Sequence, residues 1–273
     1  MLRNVRRSKA VIIPATCILL LFFMAALGGN RLAPYPADHV DLPSRLQVPS
    51  KQHWFGTDHL GRDIFSRVIV GSRITLLIAF SAVTVASIAG TVMGMAAGYF
   101  GGWYDVILMR VTDILLTFPG VLLALSVVAI LGVGVDKLII ALSVRTLPDF
   151  VRVVRGTAVV ESTKDYIEAA RAIGCNPLRT LIRHVAPNVM STAVVYASIK
   201  FSTVILSGAA LSFLGLGVQP PIPEWGLMVA QGRVYLETAP HIVLFPGLSI
   251  MLVAFAFNLL GDSIRDMVDP RAG

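Results

Sequence analysis

The chain has few charged residues, few cysteines and none of the compact motifs that mark soluble enzymes. Asp, Glu, Lys and Arg make up 14% of its 273 residues, whereas an average globular domain carries roughly 25%. The mean hydropathy is +0.76. The two cysteines, Cys17 and Cys175, do not suggest a disulfide framework, and neither has metal-ligand spacing to the other. The composition therefore argues against a soluble or disulfide-stabilised fold.

Motifs for nucleotide binding, catalysis and metal binding are also missing from the sequence. A Walker-type phosphate-binding loop is absent, so ATP binding by this chain is not expected. No Ser/His/Asp or Cys/His arrangement suggests a catalytic pocket, which argues against a membrane-embedded enzyme. His39, His53 and His59 lack the spacing of a metal-ligand set. No basic run is interleaved with aromatic residues, so the net charge of +7 predicts contact with membrane lipid rather than with nucleic acid.

Long apolar runs predict an all-α membrane protein with about six transmembrane helices. The runs cover approximately residues 10–27, 74–98, 106–131, 138–154, 189–216 and 241–260. Pro119 interrupts the third run and predicts a kink there. Gly90 and Gly94 in the second run match the small-xxx-small spacing of closely packed helices. From Gly61 onward, ahead of the second run, apolar residues at helical spacing predict a separate amphipathic helix at the membrane surface.

These runs divide the chain into a first span with an extracytoplasmic loop (1–72), a transmembrane core (73–265) and a polar tail (266–273). Among the ionisable residues inside the predicted spans, Arg110 and Asp113 are expected near an interface, and three others are singled out: Arg145 and Asp149 in the fourth span, and Lys200 in the fifth. Charge at the middle of a membrane is costly, so such groups pair with one another or line a water-filled path. We therefore select these three as candidate pathway residues, with interfacial snorkelling as the alternative for Lys200.

A polar segment, residues 165–188, stands out in the second half of the apolar chain, and we call it the hook. Ser162 or Thr163 is predicted to cap its first helix, and Gly174 is predicted to end that helix. Asn176 is predicted to cap a second helix that stops before Pro187. Two short helices joined by a glycine between membrane spans indicate a docking surface, with an apolar face formed by Ala169, Ala170 and Ile173.

Six spans would place both termini and the hook on one side of the membrane. The segment that contains the hook, 156–188, and the two ends of the chain are rich in arginine and lysine. Short loops rich in basic residues face the cytoplasm. The long loop at 30–73 also carries basic residues, but its aspartates partly balance them. The predicted orientation therefore places both termini and the hook in the cytoplasm.

The hook resembles the EAA loop of bacterial ABC importer permeases. The residues that carry the resemblance, and that would contact an ATPase subunit, are Tyr166, Glu168, Ala169, Ala170, Gly174 and Pro187. Further segments resemble signatures of the dipeptide, oligopeptide and nickel permease family, namely residues 55–63, 212–218, 223–226 and 257–270. The resemblance covers nearly the whole chain and is to the second, C-type permease of the pair. The fourth span departs from the family at Leu147 and Phe150, where a Trp and a Tyr are expected.

The resemblance implies a type I ABC importer permease in a bacterial inner membrane. It implies a second permease subunit as a heterodimer partner and two cytoplasmic ABC ATPase subunits, each of which grips one EAA loop. Those subunits would bind the ATP, so no cofactor is expected in this chain. An extracytoplasmic solute-binding protein would deliver the substrate.

Two questions stay open at the level of sequence. Residues 41–46 and 52–58 lean towards nickel permeases, but di- and oligopeptides remain alternative substrates. The second question is the source of energy. A stand-alone secondary transporter driven by an ion gradient would use the charged residues of the fourth span and would need no ATPase.

Overall fold

The computed structural model describes residues 2–268, with side chains over residues 12–265. The predicted tail at 266–273 and the basic side chains near the N-terminus therefore lie outside the described side chains. Three short 3-10 helices lie at Gly29–Arg31, Leu42–Ser44 and Arg233–Tyr235. Ten α-helices are described: α1 (Leu2–Gly28), α2 (Ile64–Phe100), α3 (Gly102–Thr117), α4 (Gly120–Leu131), α5 (Val135–Ser162), α6 (Asp165–Ala172), α7 (Pro177–Thr180), α8 (Ala186–Phe213), α9 (Trp225–Gly232) and α10 (His241–Val268).

Helix α2 is a single element of 37 residues that joins two predicted ones. The Asp63 carboxylate accepts a hydrogen bond from the Ser66 N–H at 2.8 Å and thereby caps the helix. From Ile64 the helix runs without a break into the second predicted span and across the predicted boundary at residue 72. The prediction of a separate surface helix is therefore wrong, because no residue between the amphipathic turns and the apolar run breaks the helix.

Small residues let α2 pack closely against α5, its most extensive contact. A Cβ placed on Gly90 would lie 2.5 Å from the Phe150 Cβ, and one on Gly94 would lie 2.6 Å from the Val151 carbonyl oxygen. Both distances are shorter than van der Waals contact, so only glycine allows this approach. The predicted small-xxx-small interface is confirmed.

The third predicted span is broken into α3 and α4. The two helices meet at an angle of 97° around Phe118 and Pro119, whose backbone is extended. The kink predicted at Pro119 is confirmed, and it is sharper than a proline alone produces in a continuous helix.

Within the described residues, four helical stretches are long and apolar enough to cross a membrane, or five if α3 and α4 count as one span. The four lie within Ile12–Arg31, Ile64–Phe100, Pro177–Phe213 and His241–Arg265. Helix α5, which contains the fourth predicted span, does not meet that standard because charged residues interrupt it. It packs instead among α2, α3, α4 and α8, and two arginines tie it to α3. Arg155 forms a two-pronged ion pair with Asp105 at 2.5 and 2.6 Å, and Arg152 contacts Asp113.

The segment from α7 to α8 is one nearly continuous helix with a wide turn. A five-residue π-helical turn, Leu181–Val185, joins the two helices. Pro187 is the second residue of α8 and does not stop the helix, so the predicted break there is wrong. Proline is tolerated in a first helical turn, where its missing N–H is not needed. The wide turn shifts the hydrogen-bond register just before the proline.

On the opposite side of the bundle from the hook, the loop predicted at 217–240 folds back and contains α9. Glu224 is buried, and its carboxylate accepts hydrogen bonds from the N–H groups of Gly226 and Leu227 at 2.9 and 2.8 Å. The Trp225 indole donates to the Val68 carbonyl at 2.9 Å. These contacts fix α9 against α2, so the residues that resemble a family signature at 223–226 have a structural role here.

Candidate functional site

The hook leaves the bundle at the end of α5 and returns at the start of α8. Gly174 ends α6 with a φ of +81°, and the Cys175 N–H donates to the Ala170 carbonyl at 3.0 Å. The Asn176 side chain accepts from the Leu178 N–H at 2.9 Å and caps α7. The predicted helix end at Gly174 and the predicted cap at Asn176 are therefore confirmed.

The predicted cap at the start of α6 is wrong. Lys164 is the residue that precedes the helix, and it makes no capping hydrogen bond through its side chain. Helix α5 extends to Ser162, whose hydroxyl donates back to the Ala158 carbonyl at 2.6 Å, while the Thr163 hydroxyl donates to Val160. Both hydroxyls are thus used by the helix that ends there, not by the one that begins.

One side of the hook is anchored in the bundle by apolar contacts. Ile167 is fully buried in a cluster shared with α5, the π-helical turn and α8. Ala170, one turn further along α6, is also buried. The predicted docking face of Ala169, Ala170 and Ile173 is therefore divided, because Ala170 faces the bundle while Ala169 and Ile173 are exposed.

A polar cluster of Glu161, Lys164, Tyr166 and Asn188, here the Glu161 cluster, forms the second anchor. The Tyr166 hydroxyl donates to the Glu161 carboxylate, and the Asn188 amide donates to that carboxylate at 2.9 Å and to the Tyr166 oxygen at 3.0 Å. Lys164 pairs with Glu161 at 2.6 Å. The cluster thereby links the end of α5, the first turn of α6 and the first turn of α8.

Tyr166 is placed differently from its expected role as a contact for another protein. Its hydroxyl points back into the Glu161 cluster, although the residue remains 42% exposed. Desolvation, together with the hydrogen bond to Glu161, raises the pKa of Tyr166 to about 12. The hydroxyl therefore stays protonated and able to donate at physiological pH. Sequence reasoning missed Glu161, because 27 positions separate it from Asn188 and no local pattern links them.

The other side of the hook is open. Ile173 is 81% exposed and Leu178 is 56% exposed, and Glu168, Gly174 and Pro187 are exposed as well. Glu168 and Arg171, three positions apart on α6, are not among the ion pairs of the described side chains. The Arg171 guanidinium instead lies 5.1 Å from the ring centroid of Tyr99, at the end of α2. A surface that includes apolar side chains and the carboxylate of Glu168 remains available to another protein.

The three candidate pathway residues lie at the contact of α5 with α4 and α8. Lys200 on α8 binds the Asp149 carboxylate at 2.6 Å, and its ammonium lies 5.1 Å from the Tyr196 ring centroid. Arg145 lies one turn from Asp149, beside Gly120 at the start of α4. The structure therefore brings all three into one region but joins only two of them as an ion pair.

The histidines of the loop at 30–73 have structural contacts. His53 binds the Asp63 carboxylate at 2.9 Å, and the His59 ring stacks on Tyr235 at 5.7 Å between centroids. Among the described residues, no group of three or more His, Cys, Asp or Glu side chains converges as a metal site would require.

Comparison with known proteins identifies a matching family model, similar proteins and a similar solved structure. A family model described as binding-protein-dependent transport system inner membrane component matches residues 90–273. The chain is 45% identical over 270 residues to the glutathione transport system permease protein GsiD of Escherichia coli O6:K15:H31 (strain 536 / UPEC) and to that of Shigella boydii serotype 4 (strain Sb227). Each alignment covers 98% of this chain and 89% of the relative.

The fold can also be compared with that of a solved structure. The MetNI methionine ABC transporter in an inward-facing conformation matches with a TM-score of 0.60 and 19% identity, over 74% of this chain and 97% of that chain. At this level of identity the likeness concerns the fold alone.

Proposed function

Since the chain belongs to the family of binding-protein-dependent transport system inner membrane components, we propose that it forms half of a translocation pathway driven by ATPase subunits that dock on the hook. It is a permease subunit of an ABC importer and has the type I fold that the sequence predicts. As a transport subunit it is not itself an enzyme. Family membership removes the support for a stand-alone secondary transporter.

The two-sided structure of the hook carries the proposal. Ile167 and the Glu161 cluster hold one side to α5 and α8, so a force on α6 is transmitted directly to membrane helices. The other side presents Ile173, Leu178 and Glu168. An exposed apolar helix face of this size fits a groove on a partner protein, and the free carboxylate of Glu168 offers a contact for a basic group there.

The remaining partners follow from the same proposal. A second permease subunit completes the pathway, two ATPase subunits bind ATP beneath it, and a solute-binding protein delivers substrate at the outer face. The bacterial inner membrane is the location, with both termini and the hook in the cytoplasm. The basic residues of segment 156–188 support that orientation.

We assign a peptide-like substrate to the importer. The support is the 45% identity, over nearly the whole chain, to proteins named as glutathione permeases. The resemblance of residues 41–46 and 52–58 to nickel permeases covers a short part of the outer loop. The longer similarity outweighs the shorter one, so a small peptide is preferred over nickel.

Co-purification of the ATPase subunits tests the docking role. Ile173→Asp should abolish their recovery with the permease pair without lowering the amount of permease in the membrane, since Ile173 is 81% exposed and has little packing to lose. Val234→Asp is the matched control, because Val234 is 72% exposed in the loop that contains α9. This control should leave recovery unchanged.

Glu168→Lys gives a second variant at the same surface. It reverses the charge of an exposed side chain, so transport should be lost while insertion is preserved. ATPase recovery and substrate uptake at wild-type levels in both hook variants would contradict the proposal.

A further inference from the structure

Arg145 occupies the point where the third span breaks. It lies near the middle of α5, and its side chain reaches Gly120, the first residue of α4. A Cβ on Gly120 would lie 2.7 Å from the Arg145 Nε, so a larger residue there would displace the guanidinium. Because α3 and α4 meet at 97°, the arginine lies beside the bend between two helices instead of a continuous helix surface.

The nearest acid on the same helix is already paired. Asp149 lies one turn further along α5 and binds Lys200 at 2.6 Å. None of the ion pairs among the described side chains includes Arg145, and its buried Nε has no hydrogen-bond partner. The three charges therefore sum to one uncompensated positive charge, which is located on Arg145.

The other two arginines of α5, both in its second half, are paired and thus differ from Arg145. Arg152 contacts Asp113, and Arg155 binds Asp105 through two nitrogens, so each has an acidic partner on α3. An unpaired guanidinium at membrane depth is costly and persists where it faces water or meets a ligand. Arg145 is thus placed and charged to receive an anion.

We propose that Arg145 binds a carboxylate of the transported substrate as it passes the break between α3 and α4. A guanidinium presents parallel N–H donors that match the two oxygens of a carboxylate. The Asp149–Lys200 pair leaves Arg145 free for this contact. The inference rests on the proposed function, since a peptide carries carboxylates, whereas a free divalent cation would be repelled at this position.

The role of Arg145 is tested in the complete importer by removing the arginine charge and the substrate carboxylates separately and together. Proteoliposomes contain the permease pair, the ATPase subunits and the solute-binding protein. The probes are glutathione and its two monoamides, in each of which one carboxylate is replaced by a neutral amide. Initial uptake rates are measured below saturation for the wild type, Arg145→Gln, Arg145→Lys and the control Arg152→Gln.

The preference for glutathione over one of the two monoamides should fall about tenfold in Arg145→Gln, the size of one hydrogen-bonded charge pair. The same binding protein serves every variant, so its own preference cancels when ratios are compared. Arg145→Lys keeps the charge without the paired donors and should retain part of the preference. Arg152→Gln should retain all of it.

Two results would overturn the assignment while leaving the proposed function intact. One is an unchanged preference for both monoamides in Arg145→Gln. The other is an equal loss of uptake for all three peptides together with poor co-purification of the two permeases. That result would place Arg145 in the contact with the second permease. Failure of the wild type to take up any of the peptides, with ATP hydrolysis indifferent to the binding protein, would instead overturn the proposed function and this inference together.

Discussion

At the residue scale, Asp58 organises the turn that leads into α2. Its carboxylate accepts hydrogen bonds from the backbone N–H groups of Leu60 and Arg62 at 2.8 and 3.0 Å, and from the Arg62 Nε at 2.7 Å. Gly61 completes the turn with a φ of +76°. A Cβ on Gly61 would lie 1.7 Å from the Asp41 carbonyl oxygen. This part of the 55–63 signature therefore fixes the outer loop to the start of α2.

Two glycines that both have positive φ angles separate the effect of crowding from that of backbone strain. Gly61→Ala should lower the melting temperature of the purified permease more than Gly101→Ala does. Gly101 has a φ of +63° but nothing within 4 Å of an added Cβ. Because its ψ is −145°, a conformation that few residues other than glycine adopt, its substitution should cost roughly 1–3 kcal/mol of backbone strain, whereas at Gly61 a clash of about 1–3 kcal/mol is added to the strain. Equal shifts for the two variants would refute the structural role of Gly61.

At the element scale, α5, α6 and α8 meet in the Glu161 cluster. The helices also share the apolar cluster around Ile167, so the hook has one apolar and one polar attachment to the bundle. A hook attached at both points moves as one body with the membrane helices. Loss of the polar attachment should weaken the connection of the hook to the bundle without detaching the hook.

Glu161→Ala should therefore lower the amount of peptide imported per ATP hydrolysed, while ATPase co-purification is preserved. Removing the carboxylate takes away the acceptor of the Tyr166 hydroxyl and one acceptor of the Asn188 amide, at a cost of about 0.5–1.5 kcal/mol per hydrogen bond because both donors are exposed to water. Asp165→Ala is the control, since Asp165 is an exposed acid in the first turn of α6. Simultaneous measurement of uptake and ATP hydrolysis checks the prediction, and an unchanged ratio in Glu161→Ala would count against it.

The helices also show which structural features can be predicted from the sequence. Gly174 and Asn176 act through hydrogen bonds within a few residues, so local patterns predict them correctly. The sequence does not predict that α2 is continuous from Ile64. Its pattern changes from amphipathic to uniformly apolar, although the helix itself continues. Pro187 was misread as a stop because the π-helical turn before it has no recognised sequence signal.

The candidate sites are also predictable only in part, because local sequence patterns do not reveal how the helices pack. The spacing of the hook identifies the segment but not which of its sides faces the bundle, so it does not predict that Ala170 is buried or that the Tyr166 hydroxyl bonds Glu161. Arg145, Asp149 and Lys200 were selected because charge is rare in apolar runs. That Lys200, and not Arg145, binds Asp149 depends on how α8 packs on α5, which the sequence does not reveal.

At the scale of the whole molecule, a polar helix lies among apolar ones. Helix α5 contacts α2, α3, α4 and α8 and continues directly to the hook. It therefore connects the break beside Arg145 to the surface where the ATPase subunits are proposed to dock. A displacement of the hook would reach the proposed pathway through this one continuous helix, which is what a subunit that couples ATP hydrolysis to transport requires.

Uptake of glutathione by proteoliposomes that contain the assembled importer tests the central claim most directly. One sample receives ATP on the side of the ATPase subunits together with the solute-binding protein, and another receives an imposed proton or sodium gradient without ATP. We predict uptake in the first sample, none in the second, and loss of ATP-driven uptake in Ile173→Asp. Gradient-driven uptake by the permease without ATPase subunits would contradict the account.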